Sequence, residues 1–112
     1  MELSTRTEAE FAIIAVEDSR IDAAVAIEFK DAMRAATEGG PSEIILDLSA
    51  VDFIDSSGLG AIVATMKMLG TERKLILAAL TPTVAKVFKL TRMDTIFMIY
   101  ETVDEAKQGL AS

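Results

Sequence analysis

The chain has 112 residues, a 51% apolar fraction and a mean hydropathy of +0.37, enough to build one hydrophobic core without staples. It contains neither cysteine nor histidine, which excludes disulfides, thiolate metal sites and any Ser-His-Asp catalysis within the chain. A net charge of −7 and a pI near 4.5 oppose binding to phosphate backbones or anionic lipid, so neither nucleic acid nor membrane is expected as a partner.

The opening residues Met1 to Arg6 show no basic region followed by an apolar stretch, and no apolar run reaches the ~20 residues of a membrane span. A cytoplasmic, single-domain protein over 1–112 is expected. Residues 3–8 alternate weakly, as an edge strand does. Phe11 to Val16 is a continuous apolar run suited to a strand covered on both faces, with a hairpin turn around Glu8-Ala9-Glu10.

Asp18-Ser19 offers cap chemistry before a helix predicted over about 21–37, where Ile21, Val25, Phe29, Met33 and Ala36 recur at spacings of three and four. Gly39-Gly40-Pro41 ends it. Ile44 to Leu48 reads as a buried strand, 56–70 as a second helix closed by Gly70, and Leu75 to Ala79 as a third apolar strand. Thr81-Pro82 reads as a cap followed by proline at the first position of a short helix. Ile96 to Ile99 is the last predicted strand, and a helix with an acidic first turn runs from Thr102 to Leu110. Strands alternating with helices imply crossovers and a mostly parallel sheet, an α/β fold.

The most informative segment is Asp55-Ser56-Ser57-Gly58-Leu59-Gly60, placed between a buried strand and a helix. Functional groups of open α/β sheets collect at the carboxyl ends of strands, and free N–H groups at a helix start favour a negative group. Three readings fit these residues. Asp55, Ser56 and Ser57 serve as helix caps; the loop cradles a phosphate-bearing ligand; or a serine accepts a phosphoryl group. The glycine spacing lacks the third glycine of a dinucleotide site and the Gly-Lys-Ser/Thr of a P-loop, so no cofactor is expected.

Leu59, Ile62, Val63, Met66 and Leu69 form the predicted inward stripe of the following helix. The other side presents Gly58, Ala61, Ala64, Thr65 and Met68, with Lys67 the sole charge between Ser56 and Gly70. A side this apolar either packs on a helix of its own domain or docks a partner.

The stretch LDLSAVDFIDSSGLGAIVA resembles the signature of STAS domains, specifically the bacterial anti-sigma factor antagonists. Arg20-Ile21-Asp22-Ala23 and Thr81-Pro82-Thr83-Val84 are similar to flanking family segments. The resemblance implies a four- to five-stranded mixed sheet with helices mostly on one side. It also implies partner switching: the unmodified protein binds an anti-sigma factor that is also a serine kinase, is released when phosphorylated, and is restored by a PP2C-type phosphatase. By resemblance the phosphoacceptor is Ser57, preceded by the matching Ser56 and with Asp22 in the loop beside it; Asp55 completes its surroundings, and the apolar pattern of the helix makes Gly58, Leu59, Gly60, Ala61, Ala64, Thr65 and Met68 the expected partner contacts. A kinase partner would supply its own catalytic base, so the chain need not be an enzyme. The alternatives are a STAS module serving a chemosensory, stress-complex or transporter assembly, and a nucleotide- or lipid-binding STAS domain.

Overall fold

The computed structural model describes residues 1–8 and 10–111, the last by its backbone alone; Ala9, in the expected hairpin turn, lies outside the described residues. Strand β1 (Leu3–Glu8) runs antiparallel to β2 (Phe11–Val16), pairing Leu3 with Val16 and Glu8 with Phe11. β4 (Glu43–Asp47) and β6 (Lys74–Ala78) continue the sheet in parallel, and β7 (Met98–Tyr100) closes it. The order β1-β2-β4-β6-β7 gives the five-stranded, mostly parallel sheet of an α/β domain.

Two further strands stand apart from it. β3 (Arg20–Ile21) and β5 (Phe53–Ile54) form a separate two-stranded parallel pair. This corrects the expected first helix, which does not begin at residue 21. Ile21 is fully buried but extended, and helix α1 spans Ala26–Thr37. Asp18 caps no helix; its Oδ1 accepts the backbone N–H of Glu2 at 3.0 Å. The periodicity misleads here because Ile21 packs into the same core as Phe29 and Met33 from a different backbone geometry.

Helix α1 ends as expected, with Gly39 at φ +69 in the left-handed region. Arg73 also reaches across to bond the carbonyls of Thr37 at 2.6 Å and Pro41 at 2.9 Å, tying the end of α1 and the loop after it to the start of β6. Helix α2 (Ser56–Leu69) ends at Gly70, φ +75. Helix α3 (Pro82–Leu90) starts on proline, but Thr81 does not cap it; its hydroxyl donates to the Val51 carbonyl at 2.8 Å, tying α3 to the loop before β5. A 3₁₀ turn at Met93–Thr95 follows, so β7 begins two residues later than expected, and α4 (Val103–Ala111) closes the fold.

The core has two parts. Val16, Ile44, Leu46, Leu75 and Leu77 point to one side of the sheet, where Phe29, Met33, Ile62, Val84 and Phe88 of α1, α2 and α3 cover them. Ile13, Ile45 and Ile76 point to the other, where α4 brings Ala106. Three helices on one face and one on the other leave the starts of α2 and α3 together at the carboxyl end of the sheet.

Candidate functional site

Asp55 organises the site. It is the N-cap of α2, with extended backbone (φ −112, ψ −174), and its Oδ1 accepts the Gly58 N–H at 2.9 Å. Its Oδ2 accepts the Ala23 N–H at 3.2 Å, and its own N–H donates to the Ile21 carbonyl at 3.4 Å. One residue therefore fixes the loop ahead of α1 against the first turn of α2. Gly58 makes that junction possible. A Cβ there would run into the Ile21 carbonyl and stand 2.8 Å from Ile54 Cγ1.

With capping done by Asp55, the two serines are left for other work. Ser56 and Ser57 are both exposed, and among the described residues neither hydroxyl has a hydrogen-bond partner. They occupy the first two positions of α2, where backbone N–H groups have no acceptor within the helix. A hydroxyl in such a place is open to an incoming active site, and a dianion on it would meet the positive end of the helix dipole.

Asp22 lies beside this turn on the β3 side. Its Oδ1 accepts the Ala24 N–H at 3.1 Å and its carbonyl accepts the Val25 N–H at 3.1 Å. The Arg20 guanidinium, bonded to Oδ2 at 3.0 Å, holds the Asp22 carboxyl below the usual aspartate range, and the Ala24 N–H adds to this. Arg20 also lies over the half-open Phe53 ring, 4.2 Å from its centroid. This pairing of β3 with β5 was not foreseen from the sequence; two-residue strands carry no periodicity to find.

The expected docking side of α2 is narrower than the sequence suggests. Gly58, Ala61 and Thr65 are buried within the domain, because α1 packs against α2 and β3 against its first turn. Thr65 meets its hydrogen-bonding need internally, donating to the Ala61 carbonyl at 2.9 Å. Leu59 is buried and Met68 half-buried against the core. Gly60 is exposed and Ala64 half-exposed, on the side of the helix away from α1. There a shallow apolar groove of about 520 Å³ runs along α2. Ser56, Gly60, Ala64 and Lys67 form one wall, Thr91 and Met93 the other, over Leu59 and Val63. No feature of the segment around Met93 marks it in the sequence as part of a site. Among the described residues no His, Cys, Asp or Glu cluster fits a metal ion, and no helix is long and apolar enough to cross a membrane.

The STAS domain family matches residues 3–106. The chain belongs to the STAS domain family. The anti-sigma-F factor antagonist RsfB of Mycobacterium tuberculosis is 28% identical over 90 residues, spanning 80% of this chain and 74% of its own. The crystal structure of an anti-sigma factor antagonist from Mycobacterium paratuberculosis superposes with a TM-score of 0.88 at 28% identity, covering 99% of this chain and 94% of that one. A STAS domain protein from Planctomyces limnophilus, 23% identical, shares the fold at a TM-score of 0.88 over 98% of both chains. In this STAS domain the serine pair thus sits at the start of the helix that the fold leaves open along one side.

Proposed function

We propose that this STAS domain is an anti-sigma factor antagonist, a cytoplasmic binding protein rather than an enzyme, whose docking is ended by phosphorylation of Ser57. The observation that carries the reading is the exposed, unbonded Ser57 hydroxyl in a first turn whose cap is already supplied by Asp55. The similarity to antagonists named in mycobacteria supports the partner class.

The physical sequence is simple. The unmodified domain presents Ser57, Gly60 and Ala64 to an anti-sigma factor that is also a serine kinase. Phosphoryl transfer from ATP adds a charge of about −1.5 to −2 at neutral pH. The domain tolerates the dianion, since the N–H groups of Ser56 and Ser57 and the dipole of α2 favour it. The partner does not, because the phosphate must be desolvated against the apolar wall and stands near Asp22 and Asp55. A tenfold loss of affinity corresponds to only about 1.4 kcal/mol. A PP2C-type phosphatase would reset the switch.

Incubation with candidate serine kinases and ATP, followed by mass spectrometry, tests the modification; phosphate on the peptide containing Ser57, and its loss in Ser57→Ala, is the expected result. Titration of the kinase with Ser57→Ala and Ser57→Asp tests the consequence. The alanine variant should bind constitutively and the aspartate variant at least tenfold more weakly; equal affinities would end the proposal.

A further inference from the structure

The charge of this domain is segregated along the chain. From Ser56 to Met93 there are six cationic side chains, Lys67, Arg73, Lys74, Lys86, Lys89 and Arg92, against one carboxylate, Glu72. The remaining residues hold the other five of the 11 cations and 17 of the 18 carboxylates. A protein of net charge −7 therefore carries a basic segment, and that segment builds both walls of the groove along α2.

The separation is spatial as well as sequential. On the β3 and β5 side of Ser57, Asp18, Asp22, Asp52 and Asp55 share one corner, held by the bonds of Asp52 N–H to the Ser19 carbonyl and of Ala23 N–H to Asp55. On the groove side, Lys67 lines the wall and Arg92 falls in sequence between the lining residues Thr91 and Met93, with Asp94 the one exposed carboxylate next to them. Lys86 and Lys89 are exposed on α3. Among the described residues none of these four cations pairs with a carboxylate; the ion pairs lie at Met1, Arg6, Arg20 and Lys107. Arg92 is held in the left-handed region, φ +62, immediately after α3, a position where glycine is the unstrained choice. An exposed arginine is thus maintained, against a backbone preference, between two residues that line the groove.

Floor and wall between the cations are apolar and low. Gly60 has open space where a Cβ would stand, and Ala64 continues the same line one turn on. From Ser56 to Lys67 the groove follows about 16 Å of helix, the length of roughly three turns. We propose that the groove seats an acidic amphipathic helix of the partner protein, its apolar stripe on Gly60, Val63 and Ala64 and its carboxylates on Lys67 and Arg92. This rests on the reading of the domain as an antagonist that docks through α2, and it adds the chemistry of what docks. A partner suited to the whole face then carries opposite charges on its two sides, acid over the groove and base over the Asp22 corner, which fixes its orientation across Ser57.

The test uses the full chain, labelled with ¹⁵N, and two acetylated 18-residue peptides. Both repeat leucine at helical spacing; one fills the remaining positions with glutamate and the other with lysine. The glutamate peptide should shift the amides of Gly60, Val63, Ala64, Lys67 and Met93, weaken as salt is raised from 50 to 300 mM, and bind at least tenfold better than the lysine peptide. Lys67→Glu combined with Arg92→Glu should abolish the difference, with circular dichroism confirming the fold. Arg92→Gly, which removes the charge and the left-handed strain together, should weaken the glutamate peptide while raising Tm. Equal binding of both peptides, shifts confined to the β3–β5 corner, absence of shifts at millimolar peptide, or concentration-dependent groove shifts without peptide, which would mean a second copy occupies it, would each overturn the proposal. Phosphate incorporation at Ser57 is read without any peptide, so failure of the groove and failure of the switch are separable.

Discussion

Asp55 Oδ2 accepts the Ala23 N–H at 3.2 Å, so the carboxylate that caps α2 also holds the loop entering α1. Replacing it by alanine removes two hydrogen bonds at once and leaves the Gly58 donor partly buried without an acceptor. Asp55→Ala should cost about 1–2 kcal/mol in urea unfolding, the scale of a lost N-cap with a further bond. The Ala23 and Gly58 amides should lose hydrogen-exchange protection together. Loss at Gly58 alone would show that the two loops are not coupled.

The two glycines after the serines answer to different constraints. At Gly58 a methyl group meets the Ile21 backbone carbonyl, which has no flexible side chain to yield. Gly58→Ala should therefore destabilise by several kcal/mol, about 2–4, or rearrange the β3–α2 junction. At Gly60 nothing stands within 4 Å of the added Cβ, and alanine is the better helix former by up to about 1 kcal/mol. Gly60→Ala should raise Tm and at the same time weaken docking of the proposed partner. A stabilised variant with unchanged affinity would place the partner off this part of α2.

Ala79 lies in the left-handed region at φ +60, just after β6, held there by its N–H to the Tyr100 carbonyl at 3.1 Å. An L-residue with a Cβ pays roughly 1–2 kcal/mol for that conformation, and glycine does not. Allowing for the extra freedom of glycine in the unfolded chain, Ala79→Gly should still gain about 0.5–1 kcal/mol, a rise of a few degrees in Tm by calorimetry. A fall in Tm would mean the methyl group packs more usefully than its backbone strains.

The sequence was most legible where one element's demands coincided with one pattern. Phe11 to Val16, Glu43 to Asp47 and Lys74 to Ala78 are strands, each within a residue of its predicted apolar run, because such runs bounded by breakers have few other uses in a chain this short, and α2 was bounded on both sides by its cap and Gly70. Ile21 was misplaced because burial, not helicity, produces its spacing to Phe29 and Met33. Ser57 was singled out by its motif, and it is exposed in the first turn of α2. Which side of α2 stays open was not legible: Ala61, Ala64 and Thr65 are equally small, and only the placement of α1 separates the buried from the open. Met68 illustrates the consequence, since its half-burial against the core makes Met68→Glu a stability variant rather than a clean probe of docking. Ala64→Glu is the better probe.

Acid should loosen the corner beside Ser57 through Asp22. The bond from the Arg20 guanidinium holds this carboxyl, in the folded domain, below the usual aspartate value of 3.8. The unfolded chain therefore binds the proton first as pH falls, so its folded state gains stability as pH rises through the window between the two values. The contribution is fully present once pH is well above the usual aspartate value and disappears as pH drops through the folded value. Glu8, lowered by Arg6 and then Lys107, titrates in the same direction at the far edge of the sheet, so the wild-type curve contains both. Asp22→Asn isolates the first: its stability should lie below wild type at neutral pH, and the gap should close on acidification below pH 4. Because the pair is open to solvent, 0.5 M salt should narrow the gap at neutral pH. A gap that stays constant from pH 7 to pH 2.5 would assign the effect of the substitution to the Ala24 turn rather than to the charge on Asp22.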